Sequence, residues 1–216
     1  RQGARRIFLA GYTGLIRAEY DDPSFLEALG RPQALWASPG VEILADTRNR
    51  LGVFRFSFSS GTIKDLVVKE YSSRGVDKLK SPFLASKAAR AWRGALALRQ
   101  NGLGTAPPVA YFEKRKAGFV VRSFFLSEKI EGAEEIRSLF RRLADSDLDP
   151  LLSTLARHLS LCHEAGILHR DLSDGNILVK KRYGMAPAFF MLDTNRIHLK
   201  KRIGRLARVK SLIRLG

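Results

Sequence analysis

The segment 166–179, Gly-Ile-Leu-His-Arg-Asp-Leu-Ser-Asp-Gly-Asn-Ile-Leu-Val, carries the sharpest chemical signal in the chain. His169-Arg170-Asp171 is followed by four residues and then by Asn176. A carboxylate at the start of a loop can accept the proton of an attacking hydroxyl. An amide oxygen five residues later can ligate magnesium, a hard cation that takes oxygen donors. Leu172, Ile177 and Leu178 would anchor such a loop to a core. The chemistry this spacing allows is transfer of a phosphoryl group to a hydroxyl. The alternative is a solvated loop after an amphipathic helix.

Three further positions could complete that chemistry. Asp193 ends the apolar run 188–192, 22 residues after Asp171, where a carboxylate could bridge metal and phosphates. Alone it could equally cap a turn. Lys69 ends the apolar strand Leu66-Val67-Val68, with Val67 and Lys69 on one face, so its ammonium could reach phosphates. The alternative is an edge-strand lysine in water. Gly52, 17 residues before Lys69, is the remaining candidate for a phosphate-covering turn, and a glycine-rich loop is absent. The alternative is that Gly52 begins a strand. His163 beside Cys162 cannot join it at one metal from a helix, so packing is its expected role. His169 is expected to support the loop backbone.

These residues need a scaffold. Asp22-Pro23 and Gly30 bracket a short helix over 23–29. Residues 41–46, 52–58 and 64–71 alternate as three strands of an antiparallel meander, with Phe54, Phe56 and Phe58 on one face and a turn at Ser60-Gly61. A helix is expected over about 82–100, with Leu84, Ala88, Trp92, Ala95 and Leu96 at helical spacing, stopped by Asn101-Gly102. Strands 108–113 and 118–126 follow, joined by a turn at Lys114-Arg115-Lys116-Ala117. Residues 127–132 read as a connector, then helices over 133–143 and 149–165. Leu152, Leu155, Ala156, Leu159 and Cys162 mark the inner face of the second helix. Short strands over 177–179 and 188–192 precede a basic helix from about 199. This order predicts an α+β, bilobal chain: residues 1–126 as a sheet-bearing lobe with one long helix, and 127–216 as a connector and mainly helical lobe.

The 216 residues suffice for one large domain or two small lobes. At 45% apolar and 27% charged, the composition excludes disorder and disulfide scaffolds. No apolar run reaches the ~18 residues of a membrane span. The lone Cys162 fits a reducing compartment. The chain begins at Arg1 and shows no signal peptide, so it reads as a fragment trimmed at one or both ends. The net charge is +17, which points to a polyanionic partner. Residues 1–126 carry 21 basic and 10 acidic side chains, residues 127–193 carry 9 and 11, and residues 194–216 carry 8 and none. In the tail 199–216, Ile203, Leu206, Ala207 and Ile213 fall near one helical face among basic residues. That suits either an interfacial helix or one packed on the second lobe with a solvated basic face. No nucleic-acid motif is present.

Together the loop at 169–176, the Val-Val-Lys69 strand and the Leu-Asp193-Thr-Asn-Arg segment resemble the protein-kinase-like superfamily. The helix Ser-Lys-Ala-Ala-Arg-Ala-Trp, then Gly-Leu-Gly-Thr-Ala-Pro-Pro, and residues 163–179 resemble more closely the lipopolysaccharide kinase (Kdo/WaaP) family. The likeness spans about 41–200. It implies a protein-kinase-like fold with a shortened C-lobe, and ATP-dependent phosphorylation of a Kdo or heptose hydroxyl in the lipopolysaccharide inner core. It implies a cytoplasmic enzyme peripheral to the inner membrane, with Mg2+ and ATP, an acidic glycolipid acceptor and an anionic membrane surface as partners, and no nucleic acid. Asp171 would orient the hydroxyl or act as base, Asn176 and Asp193 would hold magnesium, and Lys69 would bind phosphates. Residues 127–132, with Glu128 and Ile130, would form the adenine-binding hinge. The sequence departs from protein kinases in three respects. No acid lies between Lys78 and Gln100 to pair with Lys69, Asp193-Thr194-Asn195 replaces D-F-G, and Ser173 stands where Ser/Thr kinases carry lysine. A kinase of another substrate, RIO-like or small-molecule, and a pseudokinase-type or RNA-associated binding module remain as alternatives.

Overall fold

The computed structural model describes residues 3–38, 40–72 and 84–215. Strands β1 (Ala4–Leu9) and β2 (Tyr12–Arg17) form a hairpin ahead of the first expected helix. Its turn, Ala10-Gly11, takes two successive positive φ values, 41° and 86°. Those angles fit the twist of a two-residue hairpin. Helix α1 (Pro23–Gly30) begins where expected: Asp22 accepts from Phe25 N at 3.1 Å, and also from Ser59 N at 2.8 Å. Hydrogen bonds, led by that of Ser24, hold the Asp22 carboxyl well below the usual carboxylate range. A second short helix, α2 (Pro32–Ala37), was not anticipated and buries Leu35 and Trp36.

Strands β3 (Glu42–Asp46), β4 (Asn49–Ser57) and β5 (Ile63–Ser72) form the expected meander. Helix α3 (Lys87–Gln100) begins later than expected, because Ser86 Oγ caps it by accepting from Ala89 N at 3.0 Å. Leu84 lies before that cap and is 50% exposed, and residues 82–83 lie outside the described residues. Strands β6 (Pro108–Lys116) and β7 (Phe119–Glu128) run on through the charged segment. Ala117 and Gly118, with φ of 49° and 80°, make the turn instead. The seven strands form one antiparallel sheet in the order β1-β2-β6-β7-β5-β4-β3. Phe54, Phe58, Leu66, Val68, Phe112, Phe124 and Leu126 pack beneath α1 and α2 as its core.

Next come β8 (Glu134–Glu135), α4 (Ile136–Arg142) and α5 (Asp145–Glu164). Helix α5 starts ahead of the expected 149, and Pro150 lies inside it in the second turn, where it gives up one i→i−4 hydrogen bond. Its buried stripe is Leu151, Leu155, Leu159 and Cys162, in one core with Val179 and Phe189. Leu152, expected on that stripe, is 44% exposed, and Ala156 is also exposed. Strands β9 (Ile167–His169), β10 (Ile177–Arg182), β11 (Met185–Met191) and β12 (Ile197–Leu199) lead to α6 (Arg205–Leu212). Residue 199 therefore ends a strand, and the basic helix starts at 205. Burial pushes the Cys162 thiol up to about 12, so it is an inert core group.

The chain divides into two compact units, residues 1–92 with 107–129, and residues 93–106 with 130–216. Residues 93–106, ahead of the expected 126/127 boundary, group with the second unit. Among the described residues no helix is long and apolar enough to cross a membrane.

Candidate active site

In the second unit, α5 delivers the chain into β9, which pairs antiparallel with β12 through Ile197 opposite His169. Arg170 N continues the ladder by donating to Arg196 O at 3.1 Å. Pairing on both sides of the loop sets Asp171 beside the turn 193–196. The loop closes through a 3₁₀ turn, Asp174–Asn176. Asn176 Nδ2 donates to Asp171 O at 2.8 Å, which directs Oδ1 to the opposite side of the amide. Asn176 O accepts from Leu192 N at 2.8 Å, fixing the residue before Asp193.

His169 ties the same strands together from beneath. Its Nε2 lies 2.9 Å from Leu192 O, and its Nδ1 accepts from Asp171 N at 3.3 Å. Only the neutral ring protonated at Nε2 satisfies both, since Leu192 O can only accept. Burial lowers the His169 pKa, which favours that form. The histidine therefore supports the loop, as the sequence reading expects.

Asp193 takes a left-handed conformation, φ 49° and ψ 43°, uncommon outside glycine. Arg196 N closes the turn on Asp193 O at 2.9 Å, and Thr194 and Asn195 are buried. Helix α3 reaches this turn at Gly94, where a Cβ would stand 2.2 Å from Thr194 O. Backbone strain held by such surroundings is typical of functional turns. Among the described residues no group of three or more His, Cys, Asp and Glu could hold a metal. The amide oxygen of Asn176 and the carboxylate of Asp193 are the oxygen donors that this loop and turn could offer a metal. Two such donors would suit magnesium, which keeps several waters and takes further oxygens from phosphates.

Lys69 lies in the first unit. It pairs across from Leu51 and Phe125 on β5, an inner strand, so it is not an edge-strand lysine. Its half-buried side chain places Nζ 5.6 Å from the Tyr71 ring centroid. Tyr71 packs on Ala88 and Ala91 of α3. Glu70 serves the other face, accepting from Trp36 Nε1 at 3.0 Å and Arg122 Nε at 2.7 Å. Gly52 sits within β4 under Trp36, whose ring would lie 2.8 Å from a Cβ there. It is a packing glycine inside a strand, and the β3–β4 connection is Thr47-Arg48. The Glu128 carboxylate accepts from Tyr20 Oη and Lys64 Nζ, so any nucleotide contact at 128 falls to the main chain. Ile130 is half-buried and opens the second unit's long segment.

The structure thus brings Asp171, Asn176 and Asp193 to one place in the second unit, and Lys69 and Gly52 to neighbouring positions of one ladder in the first. Sequence reasoning missed Arg137, whose Nη2 donates to Asp174 Oδ1 at 2.8 Å. It also missed Gly94 and Arg196. Gly94 was the single glycine inside an alanine-rich helix, a sign of close approach.

Comparison with solved structures shows a protein-kinase-like fold. One match is to a structure described as WaaP in complex with acyl carrier protein. It has TM-score 0.61 and 18% identity, over 85% of this chain and 72% of that chain. Another is to the Rio2 kinase–ADP/Mg2+–phosphoaspartate complex from Chaetomium thermophilum, with TM-score 0.58 and 15% identity. That match spans 98% of this chain and 63% of the Rio2 chain. Comparison with curated proteins by sequence finds no match. The model of the lipopolysaccharide kinase (Kdo/WaaP) family matches residues 44–216, and the chain belongs to that family. It is a kinase.

Proposed function

We propose that this kinase transfers the γ-phosphoryl group of ATP to a Kdo or heptose hydroxyl of the lipopolysaccharide inner core. The observation that carries the reading is the bond from Asn176 Nδ2 to Asp171 O, with Leu192 N on Asn176 O. Together they hold a base, an amide ligand and the Asp193 turn as one assembly. The acceptor oxygen attacks the γ-phosphorus and forms the new O–P bond. The bond from that phosphorus to the β,γ-bridging oxygen breaks, and ADP leaves. The hydroxyl proton passes to the Asp171 carboxylate. Magnesium, held by Asn176 Oδ1 and Asp193, would neutralise charge on the phosphates. Lys69 contributes a cation for the α- and β-phosphates, and the main chain over 127–132 receives the adenine, as the family resemblance implies.

Two surfaces support an acidic glycolipid on an anionic leaflet. Arg170, His198, Lys200 and Lys210 line a cavity of about 400 Å³ beside the catalytic loop. Helix α6 packs through buried Ser211, which meets His163 Nε2 at 3.1 Å. Leu206 and Val209 stay 79% and 54% exposed among Arg205, Arg208 and Lys210. An apolar stripe flanked by cations suits a peripheral membrane contact. To test the reading, labelled ATP is incubated with the enzyme, core glycolipid and cell extract. Label is expected in the lipid phase. Label in a protein band or small molecule instead would favour a different acceptor.

A further inference from the structure

Ser173 stands two residues after Asp171, where the superfamily's Ser/Thr kinases carry lysine. A phosphoryl group in transfer spreads negative charge over three oxygens, and a fixed cation beside it is among the largest catalytic contributions. In this chain a cation from another segment stands beside Asp171. Arg196 Nε lies 3.8 Å from Asp171 Oδ2, with the two side chains 53% and 42% exposed. That distance is too long for a hydrogen bond, so the guanidinium is a neighbour of the carboxylate without being locked to it.

The backbone beneath Arg196 is firmly held. Its carbonyl accepts from Arg170 N at 3.1 Å, its own N donates to Asp193 O at 2.9 Å, and Thr194 and Asn195 before it are buried. The next residue, Ile197, pairs with His169. A long cationic side chain therefore leaves a rigid base one turn from the proposed metal carboxylate and beside the proposed base. Arg170, the other arginine nearby, lines the adjoining cavity instead. An exposed pair at this separation adds little stability, so holding the fold is a poor account of Arg196. Its planar fork matches two phosphoryl oxygens at once.

We propose that Arg196 is a catalytic residue whose guanidinium binds the γ-phosphoryl oxygens during transfer, supplying the charge that Ser173 cannot. The inference rests on the phosphotransfer reading above. Arginine gives up no proton and forms no bond in the step. The proton still goes to Asp171, and ADP remains the leaving group.

The test measures binding of Mg-ADP, alone and with aluminium fluoride as a mimic of the group in flight, to wild type, Arg196→Gln and Arg196→Lys. Wild type is expected to gain at least about tenfold in affinity with the fluoride. Arg196→Gln should bind Mg-ADP within about twofold of wild type and lose that gain, and Arg196→Lys should recover part of it. In turnover, Arg196→Gln should lower kcat about 10²–10³-fold with KM for ATP and melting temperature unchanged. A purely positioning role through Asp171 makes a distinct forecast: Arg196→Gln would then cost nothing further in an Asp171→Asn background. That outcome, or retention of the fluoride gain by Arg196→Gln, overturns the proposal. Failure of wild type to bind Mg-ADP overturns the phosphotransfer reading itself, and this inference with it.

Discussion

Arg137 on α4 donates from Nη2 to Oδ1 of Asp174, inside the catalytic loop, at 2.8 Å. The guanidinium holds the Asp174 carboxyl below the usual carboxylate range, and the carboxylate in turn raises the arginine. Both side chains are partly exposed, so the pair adds little to global stability. It ties α4 to the 3₁₀ turn that carries Asn176. Arg137→Ala is expected to lower kcat about tenfold or more through misplacement of that turn, with little change in melting temperature. Steady-state kinetics beside a thermal melt check this. Unchanged kcat would remove Arg137 from the loop's support.

Gly94 tests the seating of the Asp193 turn. An alanine methyl would stand 2.2 Å from Thr194 O, a backbone atom that cannot swing aside, and 3.2 Å from Ile197 Cβ. Gly94→Ala is therefore expected to destabilise by about 1–3 kcal/mol despite alanine's better helix propensity. Magnesium-dependent nucleotide binding should weaken alongside. Gly204→Ala, in open space at the N-cap of α6, should cost less, at most about 1 kcal/mol, and leave nucleotide binding unchanged. Denaturant titration and nucleotide binding of the two variants measure the difference.

Much of this was legible because local chemistry and tertiary packing agree. The 41–71 meander, the capped start of α1 at Asp22 and the hairpin of β10 and β11 follow from alternation, caps and turns. The loop 169–176 was readable because spacing alone fixes which atoms can meet. What escaped depends on three-dimensional closeness. The hairpin 4–17 carries few β-branched residues, and its turn is the modest Ala10-Gly11. Helix α5 rotates its buried stripe to Leu151 because Val179 and Phe189 lie on that side. Gly52 could be read as a phosphate turn or as the start of a strand; it lies inside β4, and Trp36 from an unanticipated helix fills the space above it. Arg196 and Arg137 act on the loop from elements whose placement no periodicity reveals.

Buried imidazoles set the pH dependence of stability. Burial lowers the pKa of His158, His163 and His169 from 6.5, and Arg208 lowers His163 further. The unfolded chain therefore binds protons more readily than the native one in this window. Stability holds its full value above about 6.5, the unfolded pKa, and is lost as pH falls below it toward the depressed native values. Thermal melts between neutral pH and about pH 5 should show a falling midpoint. His163→Gln, which can still bond Ser211, should flatten the slope. An unchanged slope would place the dependence elsewhere.

Lys69 lies on an inner strand with its side chain half-buried, so it is placed to act as a fixed cation rather than a mobile surface charge. Lys69→Met keeps the length and apolar contacts while removing the charge. It is expected to raise KM for ATP and lower kcat/KM by about 10²-fold, with KM for the acceptor little changed. Equal effects on both substrates would argue against a nucleotide role.

The most direct test of the central claim is the initial rate of phosphate transfer from labelled ATP to a Kdo- or heptose-containing core glycolipid, compared between wild type and Asp171→Asn. Wild type is expected to label the lipid in a magnesium-dependent way, and Asp171→Asn to fall by at least about 10²-fold while still binding nucleotide. Absence of labelling on every such acceptor, or equal rates for the two proteins, would contradict the account.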